Sequence, residues 1–346
     1  MEEEAKSFLK TYSLIFTSLS YSYFIVSKIP PGKFRLFSLL PIFTLFTILP
    51  FSFSSVLLAG ITALFITWLG NFKLLLYAFN HGPLSNHQPI KNLSFLQFLL
   101  ISAFPIKIKD PFTRIQKPTS KFLPLNFWSE TLIFSIFVGI CDFYKQNLNH
   151  GLIFVIYCCM LYLFIDIIMS VSNTMVGSIM GFELFPPSDE PYLSSSISDF
   201  WGRRWNLMVT DILRHTVYKP TRVFLSNYIG RDWASVISVI AAFVVSGLMH
   251  ELIFYYMARV SPSWEVTWFF VLHGLCVVLE FCLKKVLGRK LGLHWVITGP
   301  LTVGFVMGTG YLWFFPPLVM NKVDVRAIEE AMTLYEFIMG KLKKML

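Results

Sequence analysis

Two short runs place polar side chains that can do chemistry within an otherwise apolar chain. Residues 199–206 read DFWGRRWN, and residues 246–251 read SGLMHE inside a long apolar segment. An ionisable side chain inside a membrane span is costly and is commonly functional. Histidine has a pKa of about 6.5 in short peptides, so a neutral His250 could take a proton from a weak nucleophile such as an alcohol. This chemistry suits attack of a hydroxyl group on an ester or thioester.

Neighbouring positions suggest how such a base would be held. Ser246 lies one helical turn before His250 and could orient its ring through a hydrogen bond. Glu251 lies about 100° around the helix from His250, so we expect it to support the site while facing another element. The alternative is an ordinary structural histidine, satisfied by a neighbouring helix. His273 in the next apolar run fits that description.

Asn206 permits two interpretations. Its amide could donate a hydrogen bond to a carbonyl oxygen that gains negative charge, or it could hold a substrate or His250 in place. Alternatively, it caps the helix that follows, a common duty of asparagine. Phe200, Trp201 and Trp205 precede it, and such rings favour the membrane interface. We therefore expect Trp205 to support Asn206 at the edge of a membrane.

Composition indicates a membrane protein. Apolar residues make up 55% of the 346 positions and charged residues 14%, with a mean hydropathy of +0.62, whereas soluble domains carry about 25% charged residues. The five cysteines lack the paired spacing of zinc sites, so we expect no metal. Lys and Arg (29) outnumber Asp and Glu (20), but they fall in short connections. That placement indicates membrane lipids and acidic co-substrates as partners, and no nucleic acid.

Apolar runs long enough to cross a hydrocarbon core of about 30 Å recur along the chain. Residues 95–106 are too short to span and are interpreted as an interfacial or re-entrant piece. Gly304 and Gly308 form a small-residue face expected to pack closely against a neighbouring helix. The sequence thus predicts an all-α polytopic membrane protein, one domain over 1–346, with about eight or nine transmembrane helices and short interfacial helices. The predicted spans lie near residues 8–27, 35–50, 53–79, 128–143, 151–171, 233–258, 267–283 and 294–316.

Positive charge predicts the orientation of the spans. Lys and Arg collect in connections that share one side of an eight-span bundle, which marks that side as cytosolic and makes 172–232 a cytosolic or interfacial segment. Glycosylation at Asn92-Leu93-Ser94 would contradict this orientation. The terminal KKML is similar to a dilysine retrieval signal of the endoplasmic reticulum, although eight spans place it in the lumen. Alternatively, it simply ends an amphipathic helix over 325–344. The basic residues concerned are Lys28, Lys33, Arg35, Lys91, Lys107, Lys109, Arg114, Lys117, Lys121, Lys284, Lys285, Arg289 and Lys290.

Three motifs carry a resemblance to a known family. DFWGRRWNLMVTDILRHTVYKP at 199–220, SGLMHE at 246–251 and WLGNFKLLLYAFNHGPLS at 68–85 are similar to the plant wax synthase group of the membrane-bound O-acyltransferase (MBOAT) family. The likeness extends over nearly the entire chain. It implies an MBOAT-like fold, with His250 and Asn206 as the functional pair. It also implies transfer of an acyl group from acyl-CoA to a long-chain alcohol, with a sterol or diacylglycerol as alternative acceptors.

A co-substrate of this kind needs a phosphate site and an apolar tunnel. Four basic residues of the predicted cytosolic segment could bind the phosphates of CoA, or they could simply meet anionic head groups. The acyl tail needs no charge, because each methylene removed from water contributes about 0.8 kcal/mol. We expect no cofactor beyond acyl-CoA itself. The phosphate-binding candidates are Arg203, Arg204, Lys219 and Arg222.

A polytopic transporter is the alternative from another functional class. Asp166 and Glu280 lie deep in predicted spans and could relay protons, or they could hydrogen-bond within the bundle. A transporter would be expected to show internal symmetry and paired broken helices, and the sequence displays neither. The enzyme is therefore the favoured interpretation.

Overall fold

The computed structural model describes residues 2–85, 93–109, 126–287 and 294–345. Predictions that concern Lys91, Asn92, Arg114, Lys117, Lys121, Arg289 or Lys290 lie outside these residues. Within them the chain forms helices, and its one β-bridge joins Ile108 to Leu184. The helices are α1 Glu2–Phe24, α2 Lys33–Ile48, α3 Val56–Thr62, α4 Asn71–Ala78, α5 Phe95–Ala103, α6 Phe127–Tyr144, α7 His150–Met180, α8 Ile197–Asp199, α9 Leu207–Leu213, α10 Lys219–Ile229, α11 Arg231–Ala258, α12 Glu265–Leu287, α13 Trp295–Thr309, α14 Pro316–Met320 and α15 Val323–Met345.

Four stretches of π-helix interrupt or extend these elements. Ala63–Gly70 joins α3 to α4 in one continuous helix, and Phe200–Arg204 follows α8. Arg214–Tyr218 joins α9 to α10, and Gly310–Phe314 follows α13. A π-helix bonds each residue to the one five positions away and therefore changes the direction of every side chain that follows it.

Seven described helical segments are long and apolar enough to cross a membrane. They coincide with seven of the eight predicted spans, so the predicted all-α polytopic membrane fold is confirmed. The remaining predicted span, residues 8–27, coincides with α1, whose recurring serine, threonine and tyrosine residues make it less apolar. The seven segments are Lys33–Ser52, Val56–Ala78, Phe127–Tyr144, His150–Met180, Arg231–Ala258, Glu265–Val286 and Val296–Met320.

The short apolar piece at 95–106 does form a helix too short to span. The nine residues of α5 extend for about 14 Å. Lys73 lies fully buried in the span Val56–Ala78, and its Nζ donates to the carbonyl oxygens of Ile101 (2.7 Å) and Phe104 (2.5 Å) at the end of α5. These bonds satisfy carbonyl groups that the helix end leaves open.

Contacts between the loops that join the spans show which helix ends lie at the same end of the bundle. At one end of the bundle Arg259 donates to the carbonyl of Phe53, and Arg326 to that of Met257. At the other end Arg35 donates to the carbonyl of Tyr77, and Lys285 pairs with Asp232. We call this second end the basic end. Among the described residues, it gathers Lys28, Lys33, Arg35, Lys107, Lys109, Lys284 and Lys285.

Helices α11 and α12 pack closely against each other. A Cβ added at Gly247 would lie 2.9 Å from the Cα of Thr267, and one added at Gly274 would lie 3.0 Å from the Cβ of Phe243. The prediction that Gly304 and Gly308 form a close packing face is wrong. A Cβ at either position would meet no heavy atom within 4 Å among the described residues. Close packing thus occurs beside His250 and not on α13.

Candidate active site

One large cavity connects the two ends of the bundle and contains both predicted functional residues. Its volume is about 970 Å³, and both His250 and Asn206 line it. It begins among Lys219 and Arg222 at the basic end and reaches Val56 at the other end. Most of the wall between these ends is apolar or aromatic. The bundle therefore encloses a large and mostly apolar cavity, with polar groups concentrated at few points.

His250 presents one ring nitrogen to this cavity. Its Nδ1 lies 2.7 Å from the carbonyl oxygen of Ser246. A carbonyl can only accept a hydrogen bond, so Nδ1 carries the proton and Nε2 of the neutral ring has a free lone pair. The ring stacks on Phe270 with centroids 4.4 Å apart, and the Trp68 indole is nearly perpendicular to it, with centroids 5.1 Å apart. The imidazole is thus fixed in both tautomer and tilt.

Ser246 and Glu251 were predicted to support His250. Ser246 contacts the ring through its backbone, and Glu251 contacts the neighbouring helix α12. Ser246 orients the ring with its carbonyl oxygen, not with its hydroxyl group. Glu251 is buried and faces α12, as helical geometry predicts, and accepts from the backbone N–H of Thr267 at 3.1 Å and from its hydroxyl at 3.3 Å. Its carboxylate satisfies a free N–H group in the first turn of α12. Glu251 therefore fixes the packing of α12, which carries Phe270, against α11.

Asn206 combines a structural bond with an unused donor. Its backbone is in the left-handed region (φ +37°), and its Oδ1 accepts from the N–H of Val209 at 3.2 Å, which caps α9. That bond identifies the oxygen of the amide and leaves Nδ2 as the other atom. The Nδ2 group has no hydrogen-bond partner among the described residues. Both interpretations of Asn206 are therefore compatible with its geometry.

The segment before Asn206 is an aromatic wall. Trp205 stacks on Phe200 with centroids 5.4 Å apart and planes inclined by 15°, and both rings line the cavity. Glu280 of α12 accepts from the backbone N–H (2.9 Å) and the hydroxyl (2.5 Å) of Ser198. These contacts fix the segment against the bundle, with Trp205 immediately before Asn206.

Arg203 and Arg204 belong to the structural frame of this segment. Arg204 pairs with Asp199 at 2.9 Å and donates to the carbonyl of Asp189 at 3.0 Å. The exposed Arg203 also pairs with Asp199, at 3.0 Å. Burial alone would raise the pKa of the Asp199 carboxyl, but the N–H of Ser195 and the two guanidinium groups hold it below its ordinary value. Neither arginine lines the cavity.

Lys219 and Arg222, the other two phosphate-binding candidates, do line the cavity. Their side chains are exposed at the basic end, and Arg214 and Tyr218 complete the opening. Arg222 uses its Nε to bond Ser235 at 3.0 Å, which leaves its terminal nitrogens available. The structure thus brings two of the four predicted basic residues to the site. It adds Arg214, which sequence reasoning missed because a surface helix offers many exposed cations.

The two intramembrane carboxylates that could have relayed protons are satisfied within the bundle. Asp166 accepts from the hydroxyl of Ser188, and Glu280 holds Ser198 as described. His273 is fully buried, bonds Thr309 at 3.2 Å and does not line the cavity. A second, water-sized cavity of about 10 Å³ lies between Asp166 and Asn206. The structural alternative for Asp166 and Glu280 therefore fits their surroundings.

Comparison with known proteins identifies the family. Residues 185–272 match the sequence model of a family described as "Membrane bound O-acyl transferase family". The long-chain-alcohol O-fatty-acyltransferase of Simmondsia chinensis is 41% identical over all of this chain and 99% of its own length. The chain belongs to the membrane-bound O-acyltransferase family. The probable long-chain-alcohol O-fatty-acyltransferase 3 of Arabidopsis thaliana is 39% identical over 99% of this chain and 98% of its own. The acyl-CoA–sterol O-acyltransferase 1 of the same plant is 38% identical over 94% of both chains.

Membership in this family identifies the protein as an acyl-transferring enzyme. The matched residues 185–272 contain the aromatic segment, Asn206, the basic cavity opening and the SGLMHE motif with His250. They therefore coincide with the part of the O-acyltransferase that builds the polar wall of the cavity. The span Val56–Ala78, which supplies Trp68, lies outside the matched range.

Proposed function

We propose that this O-acyltransferase transfers the acyl group of acyl-CoA to the hydroxyl group of a long-chain alcohol and produces a wax ester. The observation that carries the proposal is that one cavity is lined by His250, whose Nε2 is free, by Asn206, whose Nδ2 is free, and by a basic opening. The names of the relatives from Simmondsia chinensis and Arabidopsis thaliana support the acceptor.

His250 is the proposed general base. Its Nε2 takes the hydroxyl proton as the alcohol oxygen bonds to the thioester carbonyl carbon, and the carbonyl π electrons move to oxygen. When the resulting tetrahedral intermediate collapses, the carbon–sulfur bond breaks and the CoA thiolate takes the proton from the imidazolium. The ester and CoA leave, and His250 is neutral again. Throughout, the Ser246 carbonyl bonded to Nδ1 stabilises the positive ring. Base assistance of this kind contributes about 10²- to 10⁴-fold in rate.

Asn206 is the proposed oxyanion donor. Its Oδ1 is held by the N–H of Val209, so the amide plane has one orientation and Nδ2 is available to the cavity. A donor fixed before the reaction stabilises charge that develops on the carbonyl oxygen. Loss of one such donor costs about 10²- to 10³-fold in turnover.

The basic opening is the proposed binding site for the phosphates of CoA. Lys219 and Arg222 lie at the cavity edge, whereas the guanidinium of Arg204 is already occupied by Asp199 and two carbonyls. We therefore assign the phosphate contacts to Lys219, Arg222 and Arg214, with Arg203 as an exposed outer contact. The acyl tail then extends into the apolar interior, where each buried methylene contributes about 0.8 kcal/mol.

A sterol is the second candidate acceptor, because an acyl-CoA–sterol O-acyltransferase also matches 94% of this chain. Its rigid ring system would need a broad cavity beside His250, whereas a fatty alcohol needs only a narrow one. The two acceptors share one hydroxyl group on an apolar body, so the same base and donor serve either reaction.

The decisive experiment is a matrix of several acyl-CoAs against several lipid alcohols, in membranes from a host that lacks its own ester synthases. Wild type should form wax esters, and His250→Ala should form none at an equal amount of membrane protein. His273→Ala is the matched control, because it removes an intramembrane imidazole that does not line the cavity. Ester formation by His250→Ala would overturn the mechanism, and absence of any ester from wild type would favour the transporter.

We also propose that the enzyme resides in the endoplasmic reticulum. The support is the pair Lys343-Lys344, which is similar to a dilysine retrieval signal. The side chains of residues 341–346 lie outside the described part of the chain. Fluorescence microscopy of a tagged Lys343→Ala/Lys344→Ala variant should show escape to later compartments, whereas unchanged reticular staining would contradict the signal.

A further inference from the structure

The motif at residues 68–85 begins with a tryptophan that the proposed reaction does not use. Trp68 lies in the π-helical stretch Ala63–Gly70, and its indole forms part of the cavity wall. Its ring meets the imidazole of His250 edge-on, with centroids 5.1 Å apart and planes inclined by 82°. It is 1% exposed, so it contacts His250 as a packed wall and not as a free side chain.

Trp68 also shares a buried cluster with the helix that Asn206 begins. It belongs to one buried cluster with Val209, Ile212 and Leu213 of α9. Half-buried residues on the His250 helix, α11, pack against the same cluster. Val209 is the residue whose N–H fixes the amide of Asn206. The indole therefore lies between the two elements that carry the proposed base and the proposed oxyanion donor. The α11 residues are Val245, Met249 and Ile253.

The helix that carries Trp68 is anchored at both ends. At its start the carboxylate of Glu330 accepts from the N–H groups of Val56 (2.8 Å) and Leu57 (3.0 Å). Near the basic end Lys73 bonds two carbonyls of α5. Thr67, directly before Trp68, donates to the carbonyl of Phe46 at 2.6 Å. A side chain on a rigid helix of this kind holds the side chains that pack against it in fixed positions.

The indole N–H of Trp68 makes no hydrogen bond that stabilises the described part of the fold. Nε1 of Trp68 is buried and has no hydrogen-bond partner among the described residues. A buried donor without a partner is destabilising, so a phenylalanine at this position would remove a cost while keeping an aromatic edge. Any loss of turnover in that variant would therefore come from the geometry of the site rather than from a lost hydrogen bond.

We propose that Trp68 is a positioning residue of acyl transfer, which sets the tilt of His250 and its separation from the Asn206 amide. The inference rests on the proposed function, because it requires both residues to act on one thioester. A misplacement of about 1 Å between reacting groups can cost about 10²-fold in rate. Removing the indole gives α9 and α11 room to shift, so the effect should fall on turnover, which depends on the separation of the two reacting groups, and not on the binding of acyl-CoA.

The test compares Trp68→Phe and Trp68→Leu with Leu74→Ala in purified enzyme. Leu74 is fully buried on the same span and does not line the cavity, so its truncation should destabilise the fold without touching the site. Melting temperature, kcat and the KM for acyl-CoA are measured for each variant. We expect Trp68→Leu to lower kcat about 10²-fold with KM nearly unchanged, Trp68→Phe to lie between it and wild type, and Leu74→Ala to melt earlier with near-wild-type kcat.

Three results separate the outcomes. Wild-type kcat in Trp68→Leu, or in Trp68→Phe if the leucine variant does not fold, would overturn the positioning role. A loss of kcat in Leu74→Ala equal to that in the Trp68 variants would also overturn it, because general destabilisation would then explain both. An inactive wild type would instead refute the proposed function.

Discussion

Asn206 offers the sharpest test of the site, because its capping bond and its proposed catalytic bond use different atoms of one amide. Oδ1 caps α9 through Val209, and Nδ2 is the unpaired donor. Aspartate retains a capping oxygen and tolerates the left-handed backbone, but it has no N–H to donate. Glycine also accepts φ +37° and costs only a few tenths of a kcal/mol as a cap, and it adds no charge. Alanine loses the cap and opposes the backbone conformation.

The magnitudes follow from these contacts. Loss of the cap costs about 0.5–2 kcal/mol, and a left-handed alanine costs about 1–2 kcal/mol more, so Asn206→Ala should lose about 1.5–4 kcal/mol of stability. Asn206→Asp and Asn206→Gly should stay close to wild type in melting temperature. Because all three variants lack the Nδ2 donor, all should lose about 10²- to 10³-fold in kcat, equivalent to about 2.7–4 kcal/mol.

The assay measures initial rates of ester formation with purified protein over a range of both substrates, together with thermal unfolding. An interaction made only in the transition state lowers kcat and kcat/KM equally, so KM for acyl-CoA should stay unchanged in Asn206→Asp and Asn206→Gly. Wild-type kcat in either variant would refute the oxyanion assignment and leave only the capping role. Loss of activity in Asn206→Ala alone would show that stability, not chemistry, explains the residue.

Three further predictions test other parts of the structure. Lys219→Gln combined with Arg222→Gln should raise the KM for acyl-CoA and leave the KM for the alcohol unchanged. The rise should be smaller at high salt, because salt screens exposed charges. A KM for acyl-CoA equal to that of wild type would exclude both residues from the phosphate site. Gly247→Ala should lower both the melting temperature and kcat, because its Cβ would lie 2.9 Å from the backbone of α12, whereas Gly304→Ala, with open space, should be neutral or slightly stabilising. The lowered pKa of Asp199 means that its ionised form stabilises the fold above the ordinary value of 3.8 and that this contribution is lost as the pH falls through the lower folded value. Asp199→Asn should therefore lower the melting temperature near neutral pH, and the difference from wild type should shrink in acid; a constant difference would contradict the ion pairs.

The residues themselves pointed to His250, because a polar side chain inside an apolar span is costly, whereas Asn206, in an interfacial segment, was predicted chiefly from the family resemblance. An imidazole inside an apolar span is costly and therefore indicates a function. Helical geometry alone places Glu251 on a different face of the helix from His250. The structure adds that Glu251 faces Thr267 and that His250 is oriented by a carbonyl. A backbone carbonyl has no signature in the sequence, so its role could not be predicted from residue types.

Predictions that depend on which helices become neighbours succeeded less well. Gly304 and Gly308 have the spacing of a packing face, yet the close approach occurs at Gly247, which lies inside the motif that carries His250. Arg204 has the charge of a phosphate ligand, but it donates to the carbonyl of Asp189, fifteen residues away, as well as to Asp199. Sequence spacing predicts which residues share one face of a helix. Which other element packs on that face depends on contacts between residues far apart in the sequence.

The wall of the cavity combines regular and π-helical turns. Each of the four described π-helical stretches contributes to its wall, including Trp68, Trp201, Tyr218 and Phe314. In a regular α-helix, residues adjacent in sequence point about 100° apart, so only every third or fourth can face a given space. Consecutive residues nevertheless line the cavity, both in the π-helical stretch that contains Phe200, Trp201 and Gly202 and in the regular helix α7 at residues 161–165. A pattern of period 3.6 therefore does not predict which residues line it. The π-helical stretch Ala63–Gly70 carries Trp68, whose indole lies beside His250, so the surroundings of the base also depend on a turn that such a pattern does not describe.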